Sequence, residues 1–478
     1  MLPAIWKTAI VSPIFKKGSK QLAVNYRPVS LTCVLCKVME TLIRKALMEH
    51  ITNQGLLSNA QFGFVAGRST TLNLLRYLDA CSEIIANGEV ADCLYFDFAK
   101  AFDTVAHKRL LSKLDAYGIR GNVLHWIESF LVGRKQSVSV SGELSPEGDV
   151  LSGVPQGSVL GPVLFVLMIN DLPESVLSLC LMFADDTKLI HRVACKEDAL
   201  ILQRDVEALE TWSKKWLLTF HPEKCKVLTL GPIENTWGGF GYAMHDENGL
   251  TVLLEHIGEE KDLGVIFQED LRFDDHIQTK CKKANAMMGL IRRVFSYLDV
   301  NVFRYLYTAF VRSVIETSQS VWFPNRVGQI RMLEDVQIRA TRLVDGLKDV
   351  EYEERLRILN LPSLHFRRIR GDMIECWKHF HEYDNRVFPP SFRLKNRPSR
   401  QHDFQLHQGM PTGRYSKCQA TSFYYRVPRL WNKLPSSVVN AKTVNTFKNN
   451  LDEHWKNCDF RFDWWSQPPE LPEGYIVS

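Results

Sequence analysis

Three aspartates and their spacing are the place to start. Asp185 and Asp186 stand between two short apolar runs, Leu179–Phe183 and Thr187–Ile190, so the stretch predicts a β-hairpin with the acids at its corner. Asp tolerates the backbone angles of a tight corner, and two aspartates making a turn is the ordinary reading. The run Leu94-Tyr-Phe-Asp97-Phe-Ala-Lys-Ala-Phe-Asp103 changes the weighing, because it brings a second apolar strand that also carries acid. A carboxylate ending one buried strand and two more in a neighbouring hairpin can converge on one pair of divalent cations. That arrangement transfers a phosphoryl group between oxygens.

The elements around these acids follow from period and punctuation. A strand is expected over Trp6–Gly18, ending in the basic turn Lys16-Lys17-Gly18, and Asn25-Tyr-Arg-Pro-Val-Ser-Leu31 follows it. A helix is expected from Cys33 to Asn53 with Val38, Leu42, Ala46 and Ile51 on one face. Gln61-Phe-Gly-Phe-Val-Ala-Gly-Arg-Ser-Thr70 is a loop of small residues opening a helix over Thr70–Ala86. Its hydroxyls suit a cap, and Arg68 beside exposed amides suits a phosphate. An amphipathic helix is expected over His107–Tyr117 and a half-exposed strand over Gln136–Ser141. Leu151-Ser-Gly-Val-Pro-Gln-Gly-Ser-Val-Leu-Gly-Pro162 is a turn entering an apolar helix. A buried helix has no need of Gln156-Gly157-Ser158 at its entry, which makes this turn a candidate substrate contact.

Past the hairpin, a helix over Glu197–Leu217 sets Leu202, Val206, Leu209, Trp212 and Trp216 at helical spacing, and its tryptophans read as core. A turn at His221–Lys224 enters a strand, Gly231–Glu255 is loop-rich, and Lys261–Phe267 reads as a short strand. From Phe273 to Val344 the pattern is helical and basic. Two further helices are expected at Glu351–Ile358 and Leu364–Phe380, then a polar linker within 384–420, a folded element over Tyr424–Trp455, and a frayed tail after Phe460.

With 478 residues the chain is too long for one core, and two or three domains are expected. The longest apolar run, Val159–Ile169, is too short to span a bilayer and is broken by Gly161 and Pro162. The N-terminus lacks the order of a signal peptide. Eleven scattered cysteines point to a reducing compartment rather than a disulfide frame, and Cys33-x-x-Cys36 without a second pair reads as core. These features argue for an intracellular protein, in nucleus or cytoplasm, with no membrane partner. The net charge of +5 hides a local bias. Residues 1–50 carry eight Lys and Arg against two acids, and 271–345 carry twelve against seven. Basic segments flanking an acidic site suit a polyanion lying between them.

Taken in order, these blocks resemble the reverse transcriptases of non-LTR (LINE-type) retrotransposons, of the jockey-like and chicken-repeat-like branches. The blocks are Asn25-Tyr-Arg-Pro-Val-Ser-Leu, Gln61-Phe-Gly-Phe…Gly67-Arg-Ser-Thr, Tyr95-Phe-Asp-Phe-Ala-Lys-Ala-Phe-Asp, Gly153-Val-Pro-Gln-Gly-Ser-Val-Leu-Gly-Pro, Phe183-Ala-Asp-Asp, Lys224-Cys and Leu263-Gly-Val. They span about 8–267. Leu333-Glu-Asp-Val-Gln-Ile-Arg-Ala-Thr, Tyr352-Glu-Glu-Arg-Leu and Trp431-Asn-Lys-Leu-Pro look like the C-terminal part of such elements.

The resemblance implies an α/β (α+β) fold: a right-hand polymerase palm and fingers with an antiparallel sheet (1–268), a helical thumb (269–345) and a small C-terminal region (346–478). It implies an RNA-directed DNA polymerase that takes an RNA template, a DNA primer and dNTPs. Asp97, Asp185 and Asp186 would hold two Mg²⁺ ions, with Mn²⁺ an alternative, and Asp97 and Asp185 would be the direct ligands. Phe102 would stand against the sugar 2′ position, Gln156 and Gly157 would line the dNTP pocket, Arg68 would contact the triphosphate, and Lys224 would protonate the leaving pyrophosphate. The basic helices would grip an A-like RNA–DNA hybrid. Two departures are notable. His221 stands where many relatives have Asn. The upstream endonuclease of full elements is missing, so an incomplete element or a truncated reading frame is expected. The alternatives are an inactive nucleic-acid-binding remnant and a metal-dependent nuclease, although a nuclease has no use for the Phe102 gate or the Gln156 pocket.

Overall fold

Strand burial dictates where the centre lies. Val90–Phe96 is buried on both faces along nearly its whole length, which only a central strand can be. Gly161–Ile169 is buried all round, so it must be an interior helix. The computed structural model describes residues 2–232, 240–395, 402–411 and 416–471.

In chain order the elements begin with β1 (Thr8–Phe15), β2 (Tyr26–Leu31), α1 (Val34–Asn53), α2 (Thr70–Ala86), β3 (Val90–Phe96), α3 (His107–Ala116) and α4 (Gly121–Leu131). Next come β4 (Arg134–Val140), β5 (Glu143–Leu144), β6 (Gly148–Val150), α5 (Gly161–Ile169), β7 (Leu179–Phe183), β8 (Asp186–Val193), α6 (Lys196–Trp216) and β9 (Lys226–Leu230). Five short strands follow: β10 (Ala243–His245), β11 (Thr251–Leu253), β12 (Glu255–His256), β13 (Glu259–Asp262) and β14 (Val265–Gln268). The remainder is helical: α7 (Asp274–Val294), α8 (Val300–Leu306), α9 (Ser313–Glu316), α10 (Val327–Thr341), α11 (Tyr352–Leu359), α12 (Leu364–His381), α13 (Ser416–Thr421), α14 (Phe423–Trp431), α15 (Ser436–Val439) and α16 (Val444–His454). The fold is therefore mixed α/β with antiparallel-rich sheets, as the sequence leads one to expect.

Contacts divide the chain into two units. The first comprises Met1–Arg68, Cys93–Val227 and Gly239–His256; the second comprises Ser69–Asp92, Leu228–Gly238 and Ile257–Ser478. One sheet runs β2-β1-β4-β5, with β6 also on β4, and another runs β12-β9-β3-β8-β7. The core of the first unit gathers Leu94, Phe96, Leu110, Leu164, Leu167, Leu202 and Val206 between β3, α3, α5 and α6. Each such side chain contributes on the order of 1.5–3 kcal/mol by leaving water. Trp212 is in this core, as expected.

The first helix turns a different face inward than its apolar residues suggest. It buries Cys36, Glu40, Ile43, Leu47 and Ile51, and leaves Val38, Leu42 and Ala46 exposed. The buried set has helical spacing too, but an acid at its centre hid it.

In the second unit β13 and β14 form a hairpin where a single strand is expected over Lys261–Phe267. Leu263 and Gly264 both take positive φ (44° and 91°), the pattern of a two-residue turn matching strand twist. Beyond α8, a π-helical stretch Tyr307–Arg312 leads into α9. Trp322, Trp377, Trp431 and Trp455 are fully buried, and Arg426 pairs with Asp372 at 2.8 Å. The described part of the expected linker is partly packed, with Phe392, His402, Gln405 and Leu406 buried and Leu394 and Met410 exposed. The described part of the expected frayed tail is also held. Glu470 accepts hydrogen bonds from Trp455 Nε1 at 3.2 Å and pairs with His454. The rest of the expected loop, linker and tail, at 233–239, 396–401, 412–415 and 472–478, lies outside the described residues. Among the described residues no helix is long and apolar enough to cross a membrane.

Candidate active site

Asp97 directly follows β3, and its backbone is gripped on the far side of the turn. His221 N–H donates to Asp97 O at 2.8 Å, Ala99 N–H donates to Thr219 O, and Phe98 bridges Phe220 with stacked rings. The 3₁₀ turn Pro222–Lys224 then brings Lys224 Nζ to Asp97 Oδ2 at 3.1 Å. The pair is about half exposed, so it contributes little to stability; what it does is place a cation against the carboxylate. His221 enters these contacts through its backbone N–H and carbonyl, which accepts from Lys224 N–H at 2.9 Å.

Asp185 occupies the second position of the two-residue corner between β7 and β8, which pair Phe183 with Asp186. Burial raises the Asp185 carboxyl above its ordinary range, and the Asp97 charge adds to the rise. Its own backbone N–H and the charges of Arg27 and Lys16 pull the other way. Asp97 and Asp185 therefore feel each other across the site. Asp186 opens β8 and is exposed. Among the described residues no three His, Cys, Asp or Glu side chains are grouped to hold a metal ion, so the expected trio is not gathered into one shell. Asp97 and Asp185 present hard carboxylate oxygens, the donor type that fits a divalent cation shared with a phosphate-bearing substrate.

The glycine-marked turn lies on the loop that follows Asp97. Gly153 N–H donates to Val105 O and Val154 N–H to Phe102 O, each at 2.8 Å. A Cβ at Gly153 would stand 2.6 Å from Asp103 O, and one at Gly157 (φ +115°) would stand 2.4 Å from Ser30 O, so both close approaches require glycine. Ser30 N–H donates to Gln156 O, and Gln156 Nε2 donates to Asp103 Oδ1 at 2.9 Å. Burial raises the Asp103 carboxyl, against the Gln156 amide and the Lys100 and Lys16 charges. Phe102 is half-buried, with its ring stacked 4.4 Å from that of Phe165. The loop after Asp97 and the Gln156 turn are thus joined through Phe102, Asp103 and Val105.

Arg68 is placed differently from the triphosphate contact expected of it. It is buried, and Nη1 donates to Ser58 O and Gln61 O at 2.6 Å each. Its guanidinium is used to hold the loop together, because the loop's own carbonyls turn inward onto it. The cations that act on the carboxylates are instead Lys16, just past β1, and Arg27 on β2, both exposed.

Two positioning residues went unread in the sequence. Glu40 is buried and its Oε2 accepts Val159 N–H and Leu160 N–H at 2.7 and 3.0 Å, which puts a carboxylate at the N-terminus of α5 and anchors the Gln156 turn. Gln61 Oε1 accepts Ala184 N–H at the hairpin corner. The signal for Gln61 was its place in the Gln-Phe-Gly-Phe block; Glu40 carried none beyond the helical spacing of its neighbours.

The profile of the family described as reverse transcriptase (RNA-dependent DNA polymerase) matches residues 14–290, more than half of the chain and all of this site. The chain belongs to the reverse transcriptase family. Among its relatives, the RNA-directed DNA polymerase from mobile element jockey of Drosophila funebris is 33% identical over 80% of this chain and 42% of its own length. The probable RNA-directed DNA polymerase from transposon BS of Drosophila melanogaster is 28% identical over 72% of this chain and 38% of its own. The chain thus spans about two fifths of these relatives. A telomerase structure from Candida albicans is similar at a TM-score of 0.42 and 10% identity, covering 73% of this chain and 65% of that one. The jockey relative agrees with the branch to which the sequence blocks point. Asp97, Asp185 and Lys224 all lie within the matched region.

Proposed function

We propose that this chain is the RNA-directed DNA polymerase of a non-LTR retrotransposon, extending a DNA primer on an RNA template from dNTPs. The observation that carries the reading is that Asp97, at the end of β3, and Asp185, at the β7–β8 corner, stand on neighbouring strands of one sheet, with the Asp97 charge acting on the Asp185 carboxyl. Asp97 and Asp185 would hold the divalent ions, Mg²⁺ or Mn²⁺, with Asp186 next to Asp185 in the chain. Bound there, the ions would supply a lowered pKa at the primer 3′-hydroxyl and neutralisation of the triphosphate.

The chain's own groups do the rest. Lys224 stands on Asp97 as a proton source for the leaving pyrophosphate. Arg27 and Lys16 take the triphosphate charge in the role expected of Arg68. Phe102, stiffened by Phe165, meets the sugar edge, and the Asp103 carboxylate orients the Gln156 amide toward the nucleotide. In this reading the palm and fingers occupy 1–268 and the thumb 269–345. Among the described residues, which include all eleven cysteines, no disulfide is formed, which suits an intracellular site.

The test is primer extension on poly(rA)·oligo(dT) with dTTP and Mg²⁺. Template-dependent, Mg²⁺-dependent synthesis supports the reading. Tight hybrid binding without synthesis would replace it with the inactive remnant, and cleavage of the template would favour the nuclease.

A further inference from the structure

The corner that carries Asp185 has an awkward backbone. In a two-residue turn between twisted strands the first central residue takes positive φ, a place that favours glycine. Here it is Ala184, at φ +55°. Asp185 comes immediately after it, so its direction depends on Ala184 staying in that conformation.

What holds Ala184 is a side chain from elsewhere. Gln61 is fully buried, and its Oε1 accepts N–H from Gly63 at 2.7 Å and from Ala184 at 2.9 Å. Its Nε2 donates to Ala184 O at 3.5 Å, so one amide side chain engages both polar groups of the strained residue. The backbones on either side are locked together: Phe62 N–H donates to Met182 O and Met182 N–H to Ala60 O, each at 2.8 Å. Gly63 must be glycine, since a Cβ there would stand 2.4 Å from Ala184 N. The loop is itself held by Arg68 on the carbonyls of Ser58 and Gln61, and by Asn170 Oδ1 accepting Ser58 N–H at 2.8 Å.

We infer that Gln61 and Gly63 are positioning residues of the polymerase site: they hold Ala184 in its left-handed conformation and so aim the Asp185 carboxylate at the metal. The inference rests on the function proposed above only in what Asp185 is aimed at. Releasing the corner lets Ala184 return to the negative φ that alanine prefers, and Asp185 turns with it. A misplacement of about 1 Å costs on the order of 10²-fold in rate. Nucleotide affinity should be spared, since Gly63 and Ala184, to which the Gln61 amide bonds, are not among the residues assigned to the nucleotide.

Gln61→Met keeps length and apolar volume but lacks the acceptor; Gln61→Glu keeps the acceptor. In Q61M, hydrogen exchange of the peptide spanning 179–190 should quicken about tenfold or more at Ala184. Mn²⁺ affinity, measured by electron paramagnetic resonance of the free ion, should weaken several-fold. The kcat should drop by on the order of 10²-fold with KM for dTTP within about twofold. With its buried carboxyl protonated, and so able both to accept from Ala184 N–H and to donate to Ala184 O, Q61E should recover protection, Mn²⁺ affinity and most of kcat. Should Q61M not fold, Gly63→Ala carries the same three readouts. Wild-type exchange and Mn²⁺ affinity in the variant that folds, or a Q61E no better than Q61M, overturns the inference. So does a kcat loss that merely tracks a fallen Tm. An inactive wild-type enzyme would sink the polymerase reading, while exchange and Mn²⁺ binding would still decide the clamp.

Discussion

At Asp97 a carboxylate that ends a buried strand meets Lys224 on one side and the field of Asp185 on the other. Removing either acid takes away both the repulsion and the donor. Asp97→Ala and Asp185→Ala should therefore abolish primer extension with template affinity and Tm nearly unchanged, because each is only partly buried. More than a few per cent of wild-type synthesis in either variant would show that the ligands are assigned wrongly. Phe102 is the second residue at which chemistry and packing can be separated. Its ring stacks on Phe165, so Phe102→Val should cost roughly 1–3 kcal/mol of stability. If the ring also guards the sugar edge, the ratio of kcat/KM for rGTP over dGTP should rise markedly; an unchanged ratio leaves Phe102 as packing alone.

At the scale of elements, the informative departures are charges placed inside. In α1 the acid Glu40 sits within the buried stripe and caps α5; in α2 the acid Asp79 is buried and accepts the Ser391 hydroxyl at 2.8 Å. Burial pushes the Asp79 carboxyl from 3.8 up to about 6, against the Ser391 hydrogen bond and the Arg76 charge. Between those two values the folded chain keeps a proton that the unfolded chain has lost, so stability falls as pH rises through that window. Above it the full cost of a buried anion remains. Asp79→Asn keeps an acceptor for Ser391 without the charge. It should raise stability near pH 7.5 by at most about 3 kcal/mol and leave it unchanged near pH 3.5. Thermal melts across that range check the sign, and a destabilised Asn variant at pH 7.5 would refute it. The π-helical stretch between α8 and α9 is a different kind of departure, invisible to a period count because it lasts only Tyr307–Arg312.

For the whole molecule, the relevant quantity is where its excess positive charge is exposed. Lys282, Lys283, Arg292 and Arg293 project from α7 into solvent. Hybrid affinity should fall steeply with salt, with a log–log slope of several units, because these cations neutralise phosphates and release their counterions into solution. Reversing all four to Glu should flatten the slope, and a salt-insensitive interaction would remove α7 from the binding surface. The sequence by itself determined the α/β class, the family, most helix and strand positions, and the acids at the strand end and hairpin corner. Period, turn chemistry and spacing are local properties, and a linear chain displays them. It did not determine which residues hold those acids in place. Gln61 reaches Ala184 across 123 positions, and Lys224 reaches Asp97 across 127. Arg68 turned inward onto carbonyls that only folding brought near it, and Asp186 stayed at the surface. Such pairings arise when β3, the β7–β8 hairpin and the loop before α2 pack together. No local pattern encodes that packing, because the stabilising contacts join residues with no common period.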